Sequence, residues 1–157
     1  MERDIRAAEK YYAFQKREWR AFRLFWVLMG LVVTAAALGL FGSGLLSDKT
    51  YTANGSRIDY NRFMRVAKNT EILIHVNQAS RNASVSINND YLRKVRIEQV
   101  VPEPTSVVIK DNKLVYTFSS VQNGFITFYL SPQKMGAHQL QISVNGTQAS
   151  FDQYIYF

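Results

Sequence analysis

The sequence predicts a mainly β protein: one N-terminal transmembrane helix, continuing from a cytoplasmic helical arm, then an immunoglobulin-like antiparallel β-sandwich. Three observations predict it. Leu24 to Leu46 are 23 consecutive uncharged residues. From Tyr51 onward, short runs of β-forming residues recur between turn residues. The chain has no cysteine, so an exported domain of about a hundred residues must be held by its apolar core alone. The expected boundaries are residues 1–23 for a basic amphipathic arm, 24–46 for the membrane helix, 47–56 for a linker and 57–157 for the exported sandwich.

The arm comes first. Residues 2–23 hold no Gly or Pro and mix seven basic with four acidic side chains, which suits a solvated helix. Ile5, Tyr12, Trp19 and Trp26 recur every seven residues, joined by Ala8, Phe22 and Met29, with Gln15 interrupting the stripe. Two heptads are too few for an independent coiled coil, so the stripe reads as an interfacial belt. Trp19, Phe22 and Trp26 are the aromatic anchors, and Arg20 and Arg23 reach anionic headgroups. Acids alternate with bases along the arm, which argues against nucleic acid as a partner.

At about 1.5 Å per residue, the uncharged run spans about 34 Å, enough for a hydrocarbon core of about 30 Å. Lys16, Arg17, Arg20 and Arg23 precede it closely and only Lys49 follows closely, which places the N-terminus in the cytoplasm and the C-terminal domain outside. The expected location is a bacterial inner membrane, crossed once. Ala35, Ala36 and Ala37 also suit a signal peptidase, but Leu38, Leu40, Phe41, Leu45 and Leu46 continue the apolar run beyond them, where a cleaved signal would turn polar. Ala35, Gly39 and Ser43 repeat every four positions, a small-residue face that admits a second helix and hence a homo-oligomer through the membrane.

Nine runs read as strands, as an upper bound: Ile58–Val66, Glu71–Val76, Ala83–Ile87, Lys94–Val100, Ser106–Lys110, Leu114–Ser119, Phe125–Leu130, Gln139–Val144 and Ser150–Tyr156. Tyr60, Phe63 and Val66 also share a helical face, so the first run stays open between strand and helix. Asp111-Asn112, Asn123-Gly124 and Asn145-Gly146 tolerate positive φ and read as hairpin connections. Pro102 and Pro104 punctuate a crossing loop. Leu114, Tyr116 and Phe118 alternate with Val115, Thr117 and Ser119, and Leu140, Ile142 and Val144 alternate with Gln139, Gln141 and Ser143. One face of each strand is therefore expected in the core.

Nothing in the chain assembles a catalytic or metal motif. The two histidines are His75, set among Ile72, Leu73, Ile74 and Val76, and His138, at an expected exposed turn after Gly136-Ala137. Neither has the spacing of a triad or a zinc site. Asn88-Asn89-Asp90 offers oxygen ligands in a short turn without the rest of a calcium loop. Glu98 and Glu103 flank the proline loop and read as surface carboxylates. No cofactor is implied.

Tyr60-Asn61-Arg62-Phe63, Tyr91-Leu92, Val100-Val101-Pro102-Glu103-Pro104, Val115-Tyr116-Thr117-Phe118, Phe128-Tyr129-Leu130-Ser131-Pro132 and the aromatic terminus together resemble a family of small one-pass bacterial envelope proteins. The resemblance covers most of the exported domain. It implies no catalytic residues and an accessory role beside a larger integral membrane protein. The functional expectation is a non-enzymatic accessory protein whose sandwich binds or caps such a partner. The alternative is an envelope module that stacks a glycan or cell-wall component on exposed aromatics, among them Tyr51, Tyr60, Tyr91 and Tyr129.

Overall fold

The computed structural model describes residues 2–38, 44, 47–76, 82–119, 121 and 124–157, with side chains from residue 18 onward. They form two compact units, one helical and one built of strands.

Helix α1 runs without interruption over Glu2–Ala37. Arm and apolar segment are thus one helix, continuous through Gly30. The stretch Glu18–Ala37, 20 residues, is long and apolar enough to cross a membrane or to serve as a signal-like segment. The Thr34 hydroxyl donates to the Gly30 carbonyl at 2.7 Å, so its polar group is satisfied within the helix. The expected end at Leu46 needs correction. Gly44, with φ of 152°, is already outside the helix, and its carbonyl accepts from the Ser47 and Asp48 amides at 2.9 Å. The rest of that stretch, including Gly39 and Ser43, lies outside the described residues.

Among its described residues the second unit holds eleven strands where nine were the expected ceiling: β1 Asp48–Ala53, β2 Ser56–Asn61, β3 Phe63–Arg65, β4 Thr70–His75, β5 Ala83–Asn88, β6 Val95–Val101, β7 Ser106–Lys110, β8 Lys113–Phe118, β9 Phe125–Pro132, β10 Gly136–Val144 and β11 Thr147–Tyr156. They form a five-stranded sheet, β1-β2-β4-β9-β6, and a six-stranded sheet, β3-β11-β10-β5-β8-β7. Every pair is antiparallel except β3 with β11, which is parallel. The arrangement is the predicted sandwich.

Two differences account for the extra strands. β1 occupies the stretch expected to be a linker; it is polar and exposed, so it lacks the alternating signature of a half-buried strand. It pairs with β2 through an Asn54-Gly55 turn whose φ values, 48° and 75°, suit a two-residue hairpin. The run Ile58–Val66 is strand rather than helix, but it breaks at Arg62, where the chain changes sheets. There the Arg62 amide donates to the Ser47 carbonyl at 2.7 Å and its carbonyl accepts from the Tyr154 amide at 2.8 Å.

Asp111-Asn112 and Asn145-Gly146 close hairpins as expected, all four residues having positive φ. Gly124 also has positive φ, at 71°, but the connection containing Asn123-Gly124 joins β8 to β9 in the other sheet; Asn123 is outside the described residues. The segment holding Pro102 and Pro104 likewise crosses between sheets. Asn88-Asn89-Asp90, expected as a short turn, instead opens a single helical turn, α2 Asn89–Leu92.

Ile72, Ile74, Ile126, Phe128 and Leu130 of the five-stranded sheet share one buried cluster with Val85, Ile87, Phe118, Leu140 and Ile142 of the six-stranded sheet. Each such side chain, fully buried, stabilises the fold by about 1.5–3 kcal/mol. Tyr116 meets Phe128 edge-on at 5.2 Å, and Tyr60 stacks on Phe151 at 4.2 Å, both across the sheets.

Candidate functional site

An unpaired sheet edge is a row of open backbone donors and acceptors, and folded proteins normally guard it. Among the described residues the four edges are β1, β6, β3 and β7. β1 carries Asp48, Lys49 and Thr50 among its exposed residues. β6 breaks register between Ile97 and Gln99 and bears an Arg96–Glu98 ion pair at 2.7 Å. β3 is only three residues long. β7 is paired without a register break and holds a single charge, Lys110, at its turn end. All five residues are exposed, and the middle three are aliphatic: Val107, Val108 and Ile109, at 48, 57 and 71%.

The register explains the exposure. Val107 and Ile109 pair with Tyr116 and Leu114, so they share the inward face of β8, whose other inward residue, Phe118, is buried. That face is covered at Phe118 and bare at β7. A short apolar run reads from sequence as a strand buried on both faces, and nothing in it marks an edge.

A second polar feature lies on the outer face of the five-stranded sheet. Asp59 of β2 accepts from Thr50 Oγ1 at 2.6 Å and Arg57 Nε at 2.9 Å, while its other oxygen meets His75 Nε2 at 3.1 Å. Burial raises its pKa, but the hydrogen bonds from Arg57, Thr50 and His75 and the charge of Arg57 outweigh that and hold it below the ordinary value. The His75 ring also packs edge-on against Phe125 at 4.7 Å. This histidine is therefore a partnered strand residue, as its apolar neighbours suggest.

A cleft of about 350 Å³ is lined from both sheets, by Phe63, Arg65 and Tyr156 of the six-stranded sheet and Glu71 and Tyr129 of the five-stranded sheet, together with Lys68. It uses one of the four tyrosines singled out in the sequence. Tyr51 is 36% exposed and meets Phe151 edge-on at 5.4 Å. Tyr60 is half-buried in its stack on Phe151, and burial raises its pKa, the charge of Arg62 opposing and that of Asp152 adding.

Tyr91 corrects the expectation of an exposed ring: α2 folds it inward to 2% exposure, and burial raises its pKa. Its hydroxyl donates to Gln153 Oε1 at 2.7 Å, and Gln153 Nε2 donates to the Asn61 carbonyl at 2.8 Å. The Asn61 side chain in turn accepts from Thr70 and donates to Asp48. One polar chain thus ties α2 to β11, β2, β4 and β1. Gln153 occupies an inward position between Phe151 and Ile155, a period visible in the sequence but disguised by its polarity.

The histidines stand in different sheets, in β4 and β10. His138 is half-buried within a strand rather than exposed at a turn, because β10 begins at Gly136; its Nε2 lies 2.9 Å from the Lys134 carbonyl. Glu98 is engaged by Arg96 and Glu103 is exposed. Among the described residues, no three His, Asp or Glu side chains gather as a metal site. On α1, the Arg23 guanidinium lies 4.0 Å from the centre of the Trp19 ring, and Phe22 and Trp26 are exposed. Ala35 is half-buried.

No known family matches the chain, and no curated protein matches it. Among solved structures it is similar to domains 4 and 5 of the S-layer protein SbsC, at 9% identity and a TM-score of 0.43. The match covers 70% of this chain and 54% of that one, so the chain spans about half the length of the protein it matches.

Proposed function

We propose that this chain is a non-enzymatic interaction protein of the bacterial envelope. Helix α1 anchors it in the inner membrane with the N-terminus in the cytoplasm, Trp19, Arg20, Phe22, Arg23 and Trp26 seating it at the interface. The exported sandwich binds another protein by taking a strand along β7. The observation that carries this reading is the contrast among edges: three are polar, bulged or short, and β7 presents three consecutive exposed aliphatic residues, Val107, Val108 and Ile109, with its one charge at the turn end. Strand addition satisfies the open backbone groups, and the side chains flanking them set specificity.

Purification of the full chain in mild detergent tests it. The protein should elute as a complex, and Val108→Lys with Ile109→Lys should release it as a folded monomer, since both positions are exposed. A wild-type monomer, under conditions that preserve other membrane complexes, overturns the reading.

The aromatic cleft favours a second reading, in which the sandwich holds a saccharide of the cell wall against Tyr129. Retention of the β unit on purified cell wall, lost in Tyr129→Ala, is its expected result; no retention removes it.

A further inference from the structure

We infer that the strand received at β7 is β7 of a second copy of this chain, run antiparallel about Val108. This rests on the strand-addition reading above and names its partner.

The register follows from the hairpin. Its two-residue loop makes Lys110 and Lys113 a hydrogen-bonded pair, so hydrogen bonding alternates along the strand. Val108 therefore directs its amide and carbonyl to β8, while Val107 and Ile109 direct theirs outward. Two such strands, related by a two-fold axis, exchange hydrogen bonds between Val107 of one and Ile109 of the other. Val108 then faces Val108 as a non-hydrogen-bonded pair, with Cα atoms about 4.5 Å apart. All three aliphatic residues meet aliphatic residues, and the bare inward pair, Val107 and Ile109, is covered by its own symmetry mate.

Charge selects the same arrangement. The turn end of β7 carries Lys110 and Lys113 with Asp111, a net positive cluster, and the opposite end is preceded by Glu103. Antiparallel pairing sets each acidic end beside a basic one and places Lys110 opposite the uncharged Ser106. Parallel in-register pairing would stack Lys110 on Lys110. Copies carried on the same helix in one bilayer also meet at high effective concentration, so a small contact suffices.

Because the chain has no cysteine, the register can be read one residue at a time. Full-length Val107→Cys, Val108→Cys and Ile109→Cys, oxidised in native membranes, should differ: Val108→Cys alone forms a disulfide-linked dimer. Val107→Cys and Ile109→Cys should link when co-expressed and not separately, because only that mixture sets the two sulfurs opposite each other. A photoreactive benzoylphenylalanine at position 109 identifies the partner without relying on disulfide geometry. An adduct of twice the chain mass supports the inference. An adduct with a different protein overturns it and leaves strand addition standing, whereas no adduct overturns both. Equal linking at all three cysteine positions overturns the register and, with it, the inference.

Discussion

Replacing Gln153 by leucine isolates the buried polar chain. Gln153 is 1% exposed and its amide holds two groups, the Tyr91 hydroxyl and the Asn61 carbonyl. Leucine of similar volume leaves both without partners, and each orphaned group costs about 1–3 kcal/mol, so the change costs about 2–6 kcal/mol before any gain from the apolar side chain. Tyr91→Phe leaves only Gln153 Oε1 unpartnered and costs about 1–3 kcal/mol. In the Gln153→Leu background, however, Tyr91→Phe removes an orphan instead of making one, so there it stabilises. Urea unfolding of the β unit, for wild type, both single variants and the double variant, measures the cycle. Midpoint temperatures should follow at roughly 4–8 °C per kcal/mol for a domain of this size. Additive effects, with Tyr91→Phe equally harmful in both backgrounds, would refute the reasoning.

Two further outcomes follow from the same packing. Asp59, whose carboxyl is held below its ordinary value, stabilises the fold above the unfolded value of 3.8, and that contribution drains away as pH falls through the folded value. The gap in unfolding free energy between wild type and Asp59→Asn should therefore be constant above about pH 5 and shrink toward about pH 3; a pH-independent gap sinks the assignment. Phe128→Ala, at a side chain with no exposure in the middle of the sandwich, should cost about 3–5 kcal/mol by thermal unfolding, and a cost below about 1 kcal/mol would mean that this ring does not bridge the sheets.

The elements read most securely from sequence were those with a strong local signal. The N-terminal helix, the alternation at Leu114–Phe118 and Leu140–Val144, and the Asp111-Asn112 and Asn145-Gly146 turns all stand in the fold. Strand β1 was missed because a polar edge strand has no buried face to advertise, although Asn54-Gly55 carries the same turn chemistry as the recognised hairpins. Arg62 gave no sign of a sheet change, since that depends on where Ser47 and Tyr154 arrive from distant parts of the chain. The β7 edge was legible as a strand and illegible as an edge. Val-Val-Ile is equally the composition of a strand buried on both sides, and only the pairing of the other ten strands decides which it is.

The parallel contact between β3 and β11 has a consequence for timing. β11 follows every other strand in the chain, yet it lies between β3 and β10 and supplies Phe151, Gln153 and Ile155 to the interior. A polypeptide emerging amino end first must therefore keep the seat for β11 open until the tenth strand has passed. Closure is a late event that joins residues synthesised far apart, which is slow compared with local pairing. Until then the inward positions of β11, at Phe151, Gln153 and Ile155, leave their share of the interior unfilled.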